Sequence, residues 1–109
     1  GDGGFQMCCM ELMTAANYNI PITVIMFSNA TMGLIRKNQH QQYDERFIDC
    51  DFVNPDYALL AQSFGLQYFH VTDEKSLSSL FTEADFNQQS NLVELVIDKD
   101  AFPNYISRR

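Results

Sequence analysis

Two short polar segments of the chain contain residue types suited to phosphate and metal binding. Glycines surround Asp2 in residues 1–4, and Asn29 lies in the polar stretch 28–33 that follows an apolar run. Glycines let the backbone approach an anion closely, and the N–H groups at the start of a helix can bind it. A carboxylate beside a phosphate requires a cation between them, and Mg²⁺ binds both carboxylate and amide oxygens. These residue types suit a metal-bridged phosphate ligand, although a Gly-Asp-Gly triplet is also common in surface turns.

The elements predicted around these segments would bring the two together. Residues 1–4 are predicted as a tight turn, residues 5–18 as a helix because apolar side chains recur at helical spacing, and residues 20–27 as a strand buried on both faces of a parallel sheet. The stretch between Gly3 and Asn29 is long enough for one helix, a turn and one parallel strand. Both polar segments then meet at the carboxyl edge of a sheet, where ligands bind in open α/β folds.

The rest of the pattern completes an α/β fold, a parallel sheet with helices on both faces. Residues 34–53 are predicted as a loop with a short helix, and Asn54 and Pro55 as the capped start of a helix that Gly65 ends. The later elements are predicted as a strand at 67–71, a helix at 73–81, a strand at 92–97 and a peripheral tail at 102–109. Since no strand precedes residues 1–4, we expect one domain over 1–109 that is truncated before its first strand.

The net charge and the apolar content of the chain argue against a nucleic acid or a membrane as its partner. A net charge of −7 would repel a nucleic acid, and the most apolar window, residues 20–27, is far shorter than the roughly 20 residues that a membrane span needs. The cysteines Cys8, Cys9 and Cys50 have neither disulfide nor metal-ligand spacing, which favours a reducing compartment. We therefore expect a soluble, cytoplasmic protein that binds neither nucleic acid nor a membrane.

Other side chains capable of chemistry are assigned to the fold or to the surface. Arg36 and Lys37 could reach a substrate carboxylate, but an exposed helix face is the preferred interpretation. The methionines, histidines and acidic residues interpreted as packing, structural or solvated side chains are Met7, Met10, Met13, His40, His70, Asp44, Glu45, Asp49 and Asp51. No catalytic residue is assigned within the chain.

The Gly-Asp-Gly turn, followed at this distance by a strand that ends in an asparagine, resembles the thiamine-diphosphate motif of the 2-oxo acid decarboxylase and acetolactate synthase superfamily. Three stretches look like the C-terminal, diphosphate-binding domain of acetolactate synthase-like enzymes. They are residues 1–29 (GDGGFQMCCMELMTAANYNIPITVIMFSN), 32–39 (MGLIRKNQ) and 55–65 (PDYALLAQSFG). The likeness covers most of the chain.

The resemblance implies a magnesium site. Asp2 and Asn29 would be its side-chain ligands, with the main-chain carbonyl of Thr31 as the third protein ligand. The family usually ends this strand with two asparagines, and Ser28 stands at the first of them. Because the ligand is the second asparagine, metal binding is expected to survive this departure.

The resemblance also implies where thiamine diphosphate would lie. Gly3 and Gly4 would offer main-chain N–H groups to the diphosphate, as would the turn that leads into Gly33. Met32 and Leu34 would line the approach to the thiazolium ring.

The activity implied by the resemblance is decarboxylation of a 2-oxo acid such as pyruvate, followed by ligation to a second carbonyl, in a homo-oligomer. In the family, the glutamate that activates the cofactor lies on a separate domain, so the chain alone would be catalytically silent. Asn38 stands where biosynthetic acetohydroxyacid synthases typically have a tryptophan, which leaves open a non-oxidative 2-oxo acid decarboxylase. A third hypothesis is a non-catalytic interaction or regulatory domain, and the presence of Asp2 and Asn29 argues against it.

Overall fold

Three parallel strands form the centre of the fold in the computed structural model, which describes residues 1–102. They are β1 (Thr23–Ser28), β2 (Gln67–Val71) and β3 (Asn91–Val96), and they lie in the order β1-β3-β2. The predicted strand at 67–71 is confirmed at both ends, and the one predicted at 92–97 is displaced by one residue. The predicted tail lies outside the described residues from 103 onward.

The segment before β1 is helical from Asp2 and is not a turn followed by one continuous helix. It consists of α1 (Asp2–Cys8), a 3₁₀ turn (Cys9–Glu11) and α2 (Leu12–Asn17). The prediction of a tight turn at residues 1–4 is therefore wrong: Phe5 donates its N–H to the Gly1 carbonyl at 2.9 Å, which places Asp2 in the first helical turn. The helix is interrupted at Cys8, where φ is −133°.

Strand β1 is buried on one face only, which corrects the prediction for residues 20–27. Met26 and Ser28 are buried, whereas Ile25 is 58% and Phe27 is 53% exposed. The reason is position: β1 lies at the edge of the sheet and pairs with β3 alone among the described strands. The helix on that face, Glu74–Glu83, packs against β2 and does not extend to Ile25 or Phe27.

The three remaining helices follow the polar loops. They are α3 (Gly33–Gln42), α4 (Tyr57–Ser63) and α5 (Glu74–Glu83). The helix α3 is the short helix expected within residues 34–53. The predicted helix after Pro55 is confirmed, but Asp56 caps it by accepting the Leu59 N–H at 3.0 Å, and Asn54 does not. Gly65 ends this segment with φ at +73°, a conformation that glycine adopts without strain.

Helices cover both faces of the sheet, as predicted. On one face, Leu12 of α2 and Ala61 of α4 pack with the sheet residues Met26 and Leu92. On the other face, Leu80 of α5 packs with Val71 and Val93. Within residues 1–102, no helix combines the length and apolar character that crossing a bilayer requires.

Arg36 and Lys37 of α3 are buried, so the prediction of an exposed helix face is wrong. The Arg36 guanidinium lies 2.7 Å from the Asp100 carboxylate and 3.4 Å from that of Asp51, and its Cζ lies 3.9 Å from the centre of the Phe47 ring. The chain that follows β3 and the loop that follows α3 therefore fold over the helix and supply counter-charges for its arginine. Asp51, expected on a solvated face, is part of this cluster.

Candidate functional site

The Asp2 carboxylate is the centre of the polar contacts at the carboxyl edge of β1, and only 1% of the residue is exposed. Its Oδ2 accepts the backbone N–H groups of Asn29 at 3.0 Å and Ala30 at 2.7 Å, and the side-chain amide of Asn54 at 2.9 Å. Among the described residues, its Oδ1 accepts the N–H of Gly3 alone, at 3.0 Å. The start of α1 is thereby joined to the turn that follows β1, as the sequence spacing predicted.

The donors to Asp2 within residues 1–102 are backbone N–H groups and one side-chain amide. No cationic side chain in the described part of the chain forms an ion pair with Asp2. Within the same residues, no three His, Cys, Asp or Glu side chains are grouped closely enough to hold a metal by themselves. A buried carboxylate of this kind is commonly either paired with a cation or bound to a metal.

The turn after β1 has a fixed backbone. Ala30 has φ at +53°, and its carbonyl accepts the Phe52 N–H at 3.0 Å. Met32 donates its N–H to the Cys50 carbonyl at 2.7 Å, and the Thr31 hydroxyl donates to the same carbonyl at 3.0 Å. These bonds form an antiparallel bridge that places Thr31 opposite Asp51. The loop 50–52 therefore holds the turn in place from behind.

All the residues predicted from the sequence to bind metal or cofactor line one cavity of about 370 Å³ next to this turn. The lining residues are Gly1, Asp2, Gly3, Gly4, Phe27, Asn29, Thr31, Met32, Gly33, Leu34 and Ile35. The structure thus brings the predicted residues together, and their individual roles stay predictions.

The two glycines after Asp2 differ in what surrounds them. A Cβ at Gly3 would lie 2.8 Å from the Met32 Sδ and 3.3 Å from the Phe52 ring, so both side chains would have to shift to accept it. A Cβ at Gly4 would meet no atom within 4 Å. A side chain at position 3 would therefore disturb the packing, whereas a methyl group at position 4 would not.

A larger cavity, of about 530 Å³, lies around the segments before β1 and β3, at the opposite edge of the sheet. Its lining residues are Ala15, Ala16, Asn19, Ile20, Pro21, Gly65, Gln88, Gln89 and Ser90, none of which is charged. It offers amides but no carboxylate for a metal. Size alone does not identify the site, and the chemistry of the lining favours the cavity beside Asp2.

Sequence reasoning missed Asn54, which it interpreted as a helix cap. The side-chain amide of Asn54 donates to Asp2 at 2.9 Å and to Ser28 at 3.3 Å, and its oxygen accepts hydrogen bonds from Gln6 and Tyr57. Tyr57 is itself buried beside this group, and burial is the main reason that the pKa of its hydroxyl is raised above the ordinary value. An asparagine before a proline resembles a cap in any sequence, and only the fold shows that it faces residue 2.

An open parallel sheet with a glycine-lined cavity beyond the carboxyl end of a strand defines an α/β domain of the kind that binds ligands at this edge of its sheet. The chain belongs to the family described as the thiamine pyrophosphate enzyme, C-terminal TPP binding domain, whose sequence profile matches residues 1–95. It is therefore a thiamine pyrophosphate-binding domain, as the sequence resemblance implied.

Curated relatives extend the comparison. The chain is 34% identical over 99 residues to a probable acetolactate synthase large subunit of Methanococcus aeolicus, and 34% identical over 103 residues to the acetolactate synthase large subunit of Lactococcus lactis subsp. lactis. It is also 34% identical over 100 residues to a putative thiamine pyrophosphate-containing protein, YdaP, of Bacillus subtilis. These matches cover 90%, 91% and 92% of the chain but only 16%, 17% and 17% of the relatives.

The residues at the cavity fit a magnesium-bridged diphosphate. Asp2 Oδ1 has one donor and so retains capacity for a cation, and the Thr31 carbonyl accepts no hydrogen bond from residues 1–102. Asn29 supplies an amide oxygen, which the Thr31 N–H approaches at 3.3 Å. Carboxylate, amide and carbonyl oxygens are the ligand types that Mg²⁺ prefers.

Proposed function

We propose that Asp2, Asn29 and the Thr31 carbonyl hold Mg²⁺, which joins the chain to the diphosphate of thiamine diphosphate. The observation that carries this proposal is the 3.0 Å hydrogen bond from the Asn29 N–H to Asp2 Oδ2 beside the glycine-lined cavity. It places two oxygen-bearing side chains, 27 positions apart in sequence, at the same end of one strand.

The main-chain donors for the diphosphate are the N–H groups at the starts of α1 and α3. The N–H groups of Gly4 and Gly33 donate to no atom of residues 1–102, so both are available to an anion. The Gly3 N–H is already bonded to Asp2 Oδ1, so Gly3, which the sequence predicted as a further donor, is not counted among the available N–H groups. Met32 and Leu34 are partly exposed in the cavity and would shield the thiazolium end from water.

For the whole protein we propose an acetolactate synthase-like reaction, in which a 2-oxo acid such as pyruvate is decarboxylated and joined to a second carbonyl. The names of the relatives support this reaction. Thiamine diphosphate, when bound, supplies the stabilisation of negative charge that decarboxylation needs. The residues of this chain bind the metal and diphosphate, orient the cofactor and exclude water from part of it. No residue of the chain is assigned to proton transfer, so the chain alone is expected to be inactive.

The proposal includes a homo-oligomer in the cytoplasm. The exposed side chains of Ile25 and Phe27 lie on a sheet face next to an unpaired edge of β1, and such surfaces favour association. All three cysteines are free thiols, which suits a reducing compartment.

Titration of the full-length protein with thiamine diphosphate, with and without Mg²⁺, tests the proposed site. We expect Asn29→Ala to weaken the Mg²⁺-dependent binding about tenfold or more, because one of three protein ligands is lost. Asn87→Ala, which truncates an exposed amide beyond α5, is the matched control. Equal affinities for the two variants would exclude Asn29 from the site.

Product analysis with pyruvate separates the possible reactions. Acetolactate would support the carboligation reaction, and acetaldehyde would support the non-oxidative decarboxylase that the Asn38 position left open. Cofactor binding without either product would favour a non-catalytic domain.

A further inference from the structure

We propose that Asn54 is a positioning residue for the metal site, since its amide holds the Asp2 carboxylate in the orientation that turns Oδ1 towards the cation. This inference rests on the proposed magnesium site and adds a residue to it. Asn54 lies in the loop before α4 and is not among the residues that line the cavity. It would therefore act through Asp2, without contacting the metal or the cofactor itself.

The hydrogen bonds around Asn54 fix the orientation of its amide. The Asn54 Oδ1 accepts the Gln6 Nε2–H at 2.8 Å and the Tyr57 hydroxyl at 2.9 Å. A carbonyl oxygen accepts and an amide nitrogen donates, so two donors on one side leave the Nδ2 group to face Asp2 and Ser28. Rotating the amide by half a turn would place Asn54 Oδ1 against Asp2 Oδ2, two acceptors, and Asn54 Nδ2 against the Gln6 donor.

The Asn54 amide is the third donor to one oxygen of Asp2. Within residues 1–102, Oδ2 accepts hydrogen bonds from the Asn29 and Ala30 N–H groups and from Asn54, whereas Oδ1 accepts one. Two donors already fill the lone pairs of a carboxylate oxygen, so the third, from a separate loop, holds the carboxylate in the orientation that keeps Oδ2 away from a cation. The free ligand position therefore belongs to Oδ1, and Mg²⁺ tolerates little departure from its preferred geometry.

The contacts of Asn54 join three elements to this carboxylate. Gln6 belongs to α1, Ser28 ends β1 and Tyr57 begins α4. Asp56, two positions further along, performs a different task by capping α4 through the Leu59 N–H. The two residues share one loop, so a comparison between them separates the positioning of Asp2 from the stability of the loop.

Binding of Mn²⁺ to the full-length protein in the presence of thiamine diphosphate, followed by electron paramagnetic resonance, tests this inference. Loss of an outer partner of a metal ligand commonly weakens metal binding by about 10- to 100-fold, and we expect Asn54→Ala to do so. Tyr57→Phe removes one of two donors to Asn54 and should weaken binding by a smaller factor. Asp56→Ala should lower the free energy of unfolding and leave Mn²⁺ affinity unchanged.

The spectrum of bound Mn²⁺ gives a second readout that a purely structural role would not alter. In Asn54→Ala the ligand geometry should change, so the bound signal should differ from that of wild type even at saturating Mn²⁺. Equal affinity and an equal spectrum for Asn54→Ala and Asp56→Ala would overturn the inference while leaving the metal site intact. If Asn54→Ala does not fold, an unchanged affinity in Tyr57→Phe would overturn it. A wild-type protein that binds no Mn²⁺ would overturn the proposed site and this inference together.

Discussion

The Asp2 carboxylate accepts the backbone N–H of Ala30 at 2.7 Å, the shortest of its four hydrogen bonds. Ala30 has φ at +53°, a left-handed conformation that costs a residue with a side chain roughly 1 to 2 kcal/mol. The bond to Asp2 on one side and the bond from Phe52 on the other hold the turn in this conformation. A residue at the start of the first helix thus helps to shape the turn that carries Asn29 and Thr31.

Replacing Ala30 by glycine should relieve this strain. Glycine loses about 0.5 to 1 kcal/mol through the greater freedom of the unfolded chain, so the net gain in free energy of unfolding should lie between about 0 and 1.5 kcal/mol. Ala16→Gly, in the regular helix α2, should instead lower it by about 1 kcal/mol. Urea denaturation compares the two variants. An equal loss in both would mean that the backbone at Ala30 is not strained.

Gly4→Ala should change the free energy of unfolding and the affinity for thiamine diphosphate in opposite directions. A Cβ at this position meets no protein atom within 4 Å, and alanine is favoured over glycine in a helix by about 0.5 to 1 kcal/mol. We therefore expect a higher free energy of unfolding together with weaker binding of thiamine diphosphate, because the added methyl group would lie beside the diphosphate. Thermal unfolding and calorimetric titration measure the two effects. A stabilised variant with unchanged affinity would show that the diphosphate does not approach Gly4.

Acid should weaken the contact that holds the loop 50–52 to the segment after β3. The hydrogen bond from Lys99 lowers the pKa of Asp51 from 3.8 to about 2, with smaller contributions from Thr31 and from Arg36. Because the folded pKa lies below the unfolded value, the stabilisation is complete above about pH 4 and is lost as the pH falls towards 2.

Unfolding followed from pH 7 to pH 2 tests this assignment. Asp51→Asn should be less stable than wild type at pH 7, and the difference should vanish near pH 2. Glu83→Gln is the control, since Glu83 forms no ion pair within residues 1–102. A difference between wild type and Asp51→Asn that stays constant over this range would contradict the assignment.

The exposed face of β1 should contribute to self-association of the 109-residue chain. A charge in place of Ile25, which is 58% exposed on the sheet face, would make burial of that face unfavourable. We expect Ile25→Lys to lower the mass measured by sedimentation equilibrium. Val53→Lys, at a more exposed apolar residue in a loop, should leave the mass unchanged. Identical masses for both variants and wild type would exclude this face from the interface.

Sequence patterns predicted the strands and most helices because apolar spacing reports directly on which side chains are buried. They also predicted that Asp2 and Asn29 lie at the same carboxyl edge of the sheet, because a helical segment followed by a parallel strand returns the chain to that edge. The burial of Arg36 could not be predicted in this way, because its counter-charges come from Asp51 and Asp100, distant in sequence. The role of Asn54 was hidden for the same reason: its partners belong to three separate elements.

Thiamine diphosphate binding by the full-length protein as a function of Mg²⁺ concentration, for wild type and Asp2→Asn, tests the central claim most directly. Asparagine keeps an acceptor oxygen for the backbone of the turn, so the variant should fold, but it lacks the charge that binds Mg²⁺. We expect wild type to bind the cofactor only with Mg²⁺, and Asp2→Asn to lose at least about tenfold in affinity. Wild-type affinity and an unchanged Mg²⁺ dependence in Asp2→Asn would contradict it.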